Sequence, residues 1–428
     1  MNGWLQKPRA WRACLKKSAN SLLSACWFAY FAGYVVRCAY TAALSPMLAE
    51  LGGVLGKNAE ARLGAGSTAA FAAYAAGQLC CAFLLRRFRA ERLLLGGMLA
   101  MGGCMTLLTC AVFTAGSAFM PFAVFPWFVA ILLGLSGFAQ AMLWPAIVEL
   151  LTKHLHGAAY TRANVKLSEA SAAGTVLVYL LVPLLSHLAN WRWIFPCAAL
   201  FSFCAAAPIL RLPTLPRAVQ APAATPPLRS FLRFPMLPVL LAVTLQGVVR
   251  DGVGTWMPVL LTDGFAGLPP EAAVLSAIVL PFVAALSFRF AGWMERRLGN
   301  EFRGAAFFFA VGAVVALPLP FVLGRWLAPS VLLMALLTGA MHGINLMLVT
   351  QFPRRFRGNG RAGFAAGLVN AFVYLGSAVS MFGSTLAAHR FGWQGSAAGW
   401  VGVSAVGAII FLFCRKGIRK YLQEEKNL

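Results

Sequence analysis

The chain has 428 residues, 60% of them hydrophobic and only 11% charged, with a formal net charge of +24. Soluble domains carry about 25% charged residues, so this balance excludes an ordinary soluble enzyme or binding domain and points to a polytopic membrane protein. The positive charges are dispersed between apolar segments instead of being gathered in one basic domain, which argues against a nucleic-acid partner.

Residues 1–19 are basic (Lys7, Arg9, Arg12, Lys16, Lys17) and are expected in the cytoplasm. The apolar run behind them is too long for the core of a cleavable leader and reads as a first span. Twelve spans are predicted, at 20–47, 63–85, 93–114, 125–151, 164–187, 192–210, 234–262, 271–293, 304–324, 329–351, 362–387 and 393–414. Backbone groups in lipid must be satisfied within each segment, so the expected fold is all-α. Residues 211–233 hold Pro213, Pro216, Pro222, Pro226 and Pro227 and read as an extended cytoplasmic linker between a 20–210 bundle and a 234–414 bundle, with 415–428 as a cytoplasmic tail. The fold class is therefore an all-α polytopic membrane protein, with twelve transmembrane helices in two pseudo-symmetric six-helix bundles.

Basic residues crowd every second connection, and only Lys57, Arg62, Arg192, Arg325 and Arg390 fall on the other side. The positive-inside rule then puts both termini in the cytoplasm, and a bacterial cytoplasmic membrane is the expected location. Ten cysteines show no metal-ligand spacing and read as small buried hydrophobes. No metal or other cofactor, and no enzymatic chemistry, is expected.

Two cations do not fit the topology pattern. Arg37 is the only charged residue between Lys17 and Glu50, and Arg250 lies inside the seventh span. Their surroundings repeat: "VVRCAYTAALSPML" in the first span and "VVRDGVGTWMPVL" in the seventh, each arginine thirteen residues before an acidic residue near the end of its span, Glu50 or Asp263. At about 1.5 Å per residue both lie ~20 Å from the end of their spans, near mid-membrane. Such an internal repeat is expected of a transporter built from two related bundles. A cation there costs about 2.5–3.5 kcal/mol, which is tolerable if both face a wet cavity that receives an anion. The planar, always-protonated guanidinium fork matches phosphate or carboxylate.

Tyr30, Tyr34, Arg37 and Thr41 form one helical stripe. Ser171, Thr175 and Tyr179, with Asn164 and Ser168, form a second on span five, and Asn370, Tyr374 and Ser377 form a third on span eleven. Gln78, Gln140 with Trp144, and His342 with Asn345 add single polar points on spans two, four and ten. Polar residues also glue helices together in membranes, and for any one hydroxyl or amide that is the stronger expectation. Asp251 follows Arg250 but its Cα–Cβ direction is about 100° away around the helix, so it is expected to partner another helix, balance charge or carry a proton. His342 is expected to be packed, with a proton role as the alternative. Lys166 and Glu169, at i and i+3, are expected to form a local pair or a gate contact.

Several of these pieces carry a family pattern. "YFAGYVVR", "FAQAMLWPA", "VVRDGVGTWMPVLL", "GLVNAFVYLGSAVS" with "GWQGS", and the loop "GWMERRLG" make the chain resemble the major facilitator superfamily and, within it, the organophosphate:phosphate antiporters. The loop "FLLRRFRAERL" departs from the family signature. The resemblance implies that Arg37 and Arg250 hold a substrate phosphoryl group, that Tyr30, Tyr34, Gln140, Trp144 and Tyr374 line the cavity, that inorganic phosphate is the counter-substrate, and that the carrier works as a monomer. A lysine on span two of the glycerol phosphate carrier is Gln78 here, and the histidine on its span five falls near Ala170 or Ser171. The resemblance therefore implies a less positive site and an organic phosphate not restricted to glycerol phosphate. Proton-coupled anion uptake, export of amphipathic compounds and sugar phosphate sensing remain as alternatives.

Overall fold

The computed structural model describes residues 9–56, 58–155, 158–211, 235–298, 300–356 and 362–426. The first half of the chain forms α1 (Arg9–Leu55), α2 (Ala59–Arg87), α3 (Ala90–Thr114), α4 (Phe125–Ala141), α5 (Leu143–His154), α6 (Ala158–Leu188) and α7 (Ile194–Leu210). The second half forms α8 (Met236–Gly264), α9 (Pro270–Ser276), α10 (Val279–Leu298), α11 (Glu301–Ala316), α12 (Leu319–Val322), α13 (Leu327–Ile344), α14 (Ala362–Phe413) and α15 (Arg415–Lys426). Nearly all of the proline-rich linker lies outside the described residues.

Ten helical stretches among the described residues are long and apolar enough to cross a membrane. The other expected spans have two explanations. Helix α2 is absent from the ten because its middle is alanine, glycine, serine and glutamine, residues that pack against other helices without raising hydropathy. Helix α14 carries two expected spans in one element, which reverses at Gly392, where φ is +69°. Glycine adopts this conformation without steric cost. Its two arms fold back on each other, so that Ser396 Oγ donates to the Ser384 carbonyl at 2.7 Å. Helix α1 is longer than its predicted span at both ends and takes in much of the basic N-terminus.

The split of the fourth span into α4 and α5 follows from Pro145, whose nitrogen has no hydrogen to donate to the Ala141 carbonyl. Gln78 Nε2 donates to that carbonyl instead, at 3.0 Å. Outward faces remain apolar, as the Trp127, Ile131 and Leu135 stripe on α4 illustrates, in keeping with a lipid solvent.

Close helix contacts rest on glycine and repeat between the halves. Helix α1 packs on α6, and α8 packs on α14. Gly174 of α6 sits against the Phe31 carbonyl, where a Cβ would come within 2.6 Å. Gly376 of α14 sits against the Thr244 carbonyl in the same way. Phe31 is six residues before Arg37, and Thr244 is six before Arg250, so one packing register sets both arginines. The halves also meet at the end of the bundle away from the chain termini, called the far end below. There the Ser45 hydroxyl of α1 donates to Thr262 of α8 at 2.8 Å, Thr262 having donated its own proton to the Pro258 carbonyl. The buried Trp256 of α8 lies against Gly64 of α2.

Overpacking of such a contact costs about 1–3 kcal/mol. Gly376→Ala should therefore lower the thermal unfolding midpoint in detergent by several degrees. Gly383→Ala, on the same helix but with open space where an added Cβ would lie, should leave it unchanged or slightly higher. Equal behaviour of the two variants would contradict the packing described.

Candidate functional site

The two arginines meet at one aromatic ring. Tyr374 of α14 lies with its centroid 4.8 Å from the Arg37 guanidinium carbon and 5.5 Å from that of Arg250. Arg37 Nη1 also donates to the Tyr374 hydroxyl at 2.9 Å. Tyr34, Phe71 and Tyr74 complete an aromatic cage around Arg37, with centroids 5.3–5.7 Å from its guanidinium. Cation–π contacts of this kind gain strength where water is excluded. Among the described residues no carboxylate lies within ion-pairing distance of Arg37.

Arg250 differs. Its Nε donates to Asp251 Oδ1 at 2.9 Å and its Nη2 to Oδ2 at 2.7 Å, a bidentate pair. Ser377 Oγ of α14 donates to the same Oδ2 at 2.5 Å. The expectation that Asp251 points away from Arg250 is thus corrected. The 100° separation describes Cα–Cβ directions, and the long arginine side chain bends back across it toward the nearest carboxylate, because an unpaired charge is costly away from water. Among the described residues Arg250 thus has a carboxylate partner and Arg37 has none.

The expected wet pocket between the arginines is also corrected. The Tyr74 and Tyr374 rings lie 4.1 Å apart, and Phe71 stacks on Tyr374 at 6.1 Å. Beside Arg37 a cavity of about 40 Å³ is lined by Thr41, Ser67, Ser136 and Gln140, among others. Ligand pockets run to ~300–1,000 Å³. In this conformation aromatic rings pack beside the two guanidinium groups and leave only this small cavity next to Arg37.

The remaining predicted residues divide by what they touch. Tyr30 packs edge-on to Tyr34 at 5.1 Å and against Trp144 at 5.3 Å, extending the aromatic wall. Asn370 is half-buried one turn before Tyr374. The amide nitrogens of Gln78 and Gln140 are engaged with backbone carbonyls, Gln140 Nε2 donating to Gly33 at 2.8 Å. His342 Nδ1 bonds the Thr338 carbonyl at 2.8 Å, and its ring meets Phe288 edge-on. Lys166 and Glu169 are both exposed on α6 and do not pair with each other, which corrects the expected local pair. The side chains of Asn164 and Ser168 lie outside the described residues.

Phe71 and Tyr74 were not predicted, although they share the α2 face of Gln78 at i, i+3 and i+7. That spacing, in a helix otherwise rich in small residues, is the signal that marks them.

The fold and this site can be placed among known proteins. The Major Facilitator Superfamily model matches residues 26–381. The chain belongs to the Major Facilitator Superfamily. It is a membrane transporter of the secondary type, with the all-α polytopic fold of that superfamily. No curated protein sequence matches it. Among solved structures, a variant of the nucleoside transporter NupG is 16% identical with a TM-score of 0.68, over 93% of this chain and 99% of that one. The D-xylose-proton symporter is 13% identical with a TM-score of 0.69, over 92% of this chain and 96% of that one. At these identities the likeness concerns the fold.

Gln78 ties α2 to the break between α4 and α5, and a buried carbonyl left unpaired costs ~1–3 kcal/mol. Gln78→Leu should lower the thermal midpoint of the ligand-free protein by several degrees. An unchanged midpoint would free this amide for a role in binding.

Proposed function

We propose that this superfamily member carries a small organic anion, most specifically an organic phosphate of the sugar phosphate class exchanged for inorganic phosphate, by alternating access at a site shared by Arg37 and Arg250. The observation that carries the proposal is the convergence of one guanidinium from each half on Tyr374, with Arg37 held, among the described residues, by a phenol and aromatic faces and by no carboxylate. Such a cation lacks a negative partner, and a phosphate ester supplies one with fork geometry. Swinging Tyr374 and Tyr74 aside opens the space, and the incoming anion replaces the Tyr374 hydroxyl on Arg37. Two of the solved neighbours are named for a nucleoside and for D-xylose. A phosphorylated sugar keeps a scaffold of that kind and adds the charge that Arg37 requires.

Asp251 shapes the coupling. An ionised Asp251 already holds the Arg250 fork, so the three groups together carry a single net positive charge. A dianion that engages both arginines must displace Asp251, and it does so most readily when that carboxyl takes a proton. This pairing favours proton-linked anion uptake as the second reading. In both readings the basic ends of the chain face the cytoplasm of a bacterial cell, the far end faces outward, and one chain suffices for transport.

Proteoliposomes loaded with phosphate and offered a panel of sugar phosphates test the proposal. Loss of a buried charge-paired contact costs roughly 2–5 kcal/mol, so Arg37→Ala should reduce exchange by at least about 30-fold. Arg37→Lys should fall nearly as far because the fork is lost. Normal exchange in either variant would contradict the proposal. Uptake driven by a pH gradient without internal phosphate, and abolished in Asp251→Asn, would establish the second reading over the first.

A further inference from the structure

At the far end each half ties its first helix to its last by the same bond. Glu50, thirteen residues after Arg37, accepts from Trp191 Nε1 at 2.7 Å. Asp263, thirteen residues after Arg250, accepts from Trp393 Nε1 at 2.9 Å. The match breaks one residue later. Arg192 follows Trp191 and neutralises Glu50 through two hydrogen bonds of 2.9 and 2.7 Å. Gln394 follows Trp393, and among the described residues no cation pairs with Asp263.

Among the described residues Asp263 therefore has no cationic partner, and it lies at the seam. A cavity of about 250 Å³ between the halves is lined by Asp263 and Thr262 of α8, by Ser45 of α1 and by Glu60 of α2. Glu60 Oε2 lies 3.8 Å from His389 Nε2 of α14. When the far end is closed, a carboxylate from each half lines one small space, while the Ser45–Thr262 bond closes its rim. Opening moves α2 and α8 apart with their respective halves and so separates the charges.

Among the described residues no arginine is ion-paired with Glu60 or Asp263, including Arg325, which is exposed and follows Gly324 beside Gly264 and Gln394. Glu50 of α1 is neutralised by Arg192. Arg62 of α2 donates to the Leu55 carbonyl, and Arg390 of α14 is exposed. Lys57 lies outside the described residues. Among the described residues Glu60 and Asp263 line the seam, with His389 beside Glu60.

We propose that Glu60, Asp263 and His389 form a pH-dependent latch between the halves, left titratable because Gln394 stands where the first half has an arginine. With both carboxylates ionised and His389 neutral, like charges push the closed far end apart. A proton on either carboxylate removes that repulsion, and a proton on His389 gives Glu60 a cation from the opposite half. Both events stabilise the closed arrangement, so a fall in pH favours closure of the far end and a rise favours opening. This latch does not depend on which solute the carrier moves.

Paired cysteines at Ser45→Cys and Thr262→Cys, introduced into the full-length carrier with a protease site in the 212–234 segment, report closure as the fraction of molecules whose halves stay joined after cleavage. Single-cysteine variants control for the native thiols. Comparing variants at one pH cancels the chemistry of thiol oxidation. At about pH 8, where histidine is largely uncharged, Glu60→Gln and Gln394→Arg should each cross-link faster than the parent by roughly five- to tenfold, equivalent to about 1–1.4 kcal/mol. At about pH 5 the gain should vanish in both variants, and Glu60→Gln, which lacks the carboxylate that a protonated His389 would hold, should cross-link no faster than the parent. Equal rates in all three at both pH values, or slower cross-linking in Gln394→Arg, would overturn the latch. A matching thermal midpoint for each variant separates either result from misfolding.

Discussion

A guanidinium cannot shed its charge at any accessible pH, so a bundle that keeps one at mid-depth must supply something to hold it. Two different solutions meet at one phenol ring here. Arg37 is held by the faces of four aromatic residues and a single hydroxyl. Arg250 is held by the carboxylate of the next residue. The first arrangement compensates charge by polarisation and leaves room for a stronger partner; the second is already complete. The glycine contacts of α14 against α8 matter because they bring Tyr374, from the second half, onto an arginine of the first.

The two halves repeat one plan with altered side chains, and the alterations fall where function is expected. Cys38 follows Arg37 and lies 3.6 Å from Thr175, which follows the packing glycine Gly174. Asp251 follows Arg250 and is bonded by Ser377, which follows the packing glycine Gly376. The backbone places each pair alike, and a thiol in one half faces the role of a carboxylate in the other. The same applies at the far end, where arginine and glutamine stand in equivalent positions behind a shared indole–carboxylate bond. A transporter that alternates between two faces needs its halves to move alike without being chemically alike.

Much of this was legible in the sequence because lipid imposes few solutions. Long apolar runs dictate helices, and charges that survive inside them stand out, which is how Arg37 and Arg250 could be found and placed at similar depth. The thirteen-residue spacing to Glu50 and Asp263 marked the repeat before any contact was known. What remained hidden depends on side-chain reach. Spacing fixes where Asp251 leaves the helix and says nothing of where a flexible arginine will bend. Helix α2 has modest hydropathy because it packs against helices from both halves, so its aromatic face at Phe71 and Tyr74 was overlooked. Gln78 and Gln140 looked like inward polar points, while their amides are bound to backbone, one at a carbonyl that Pro145 leaves without a donor. Inward-facing and ligand-facing are the same pattern along a single helix.

The central claim is that Arg37 awaits a negative charge. Its most direct test is the shift in thermal unfolding of the purified carrier on titration with phosphate esters, each compared with the same molecule lacking the phosphate, in the parent protein and in Arg37→Gln. The account predicts saturable stabilisation by one or more esters and by inorganic phosphate, none by the uncharged parents, and loss of the effect in the variant. Equal stabilisation by an uncharged parent compound, or an ester effect that survives Arg37→Gln, would contradict it.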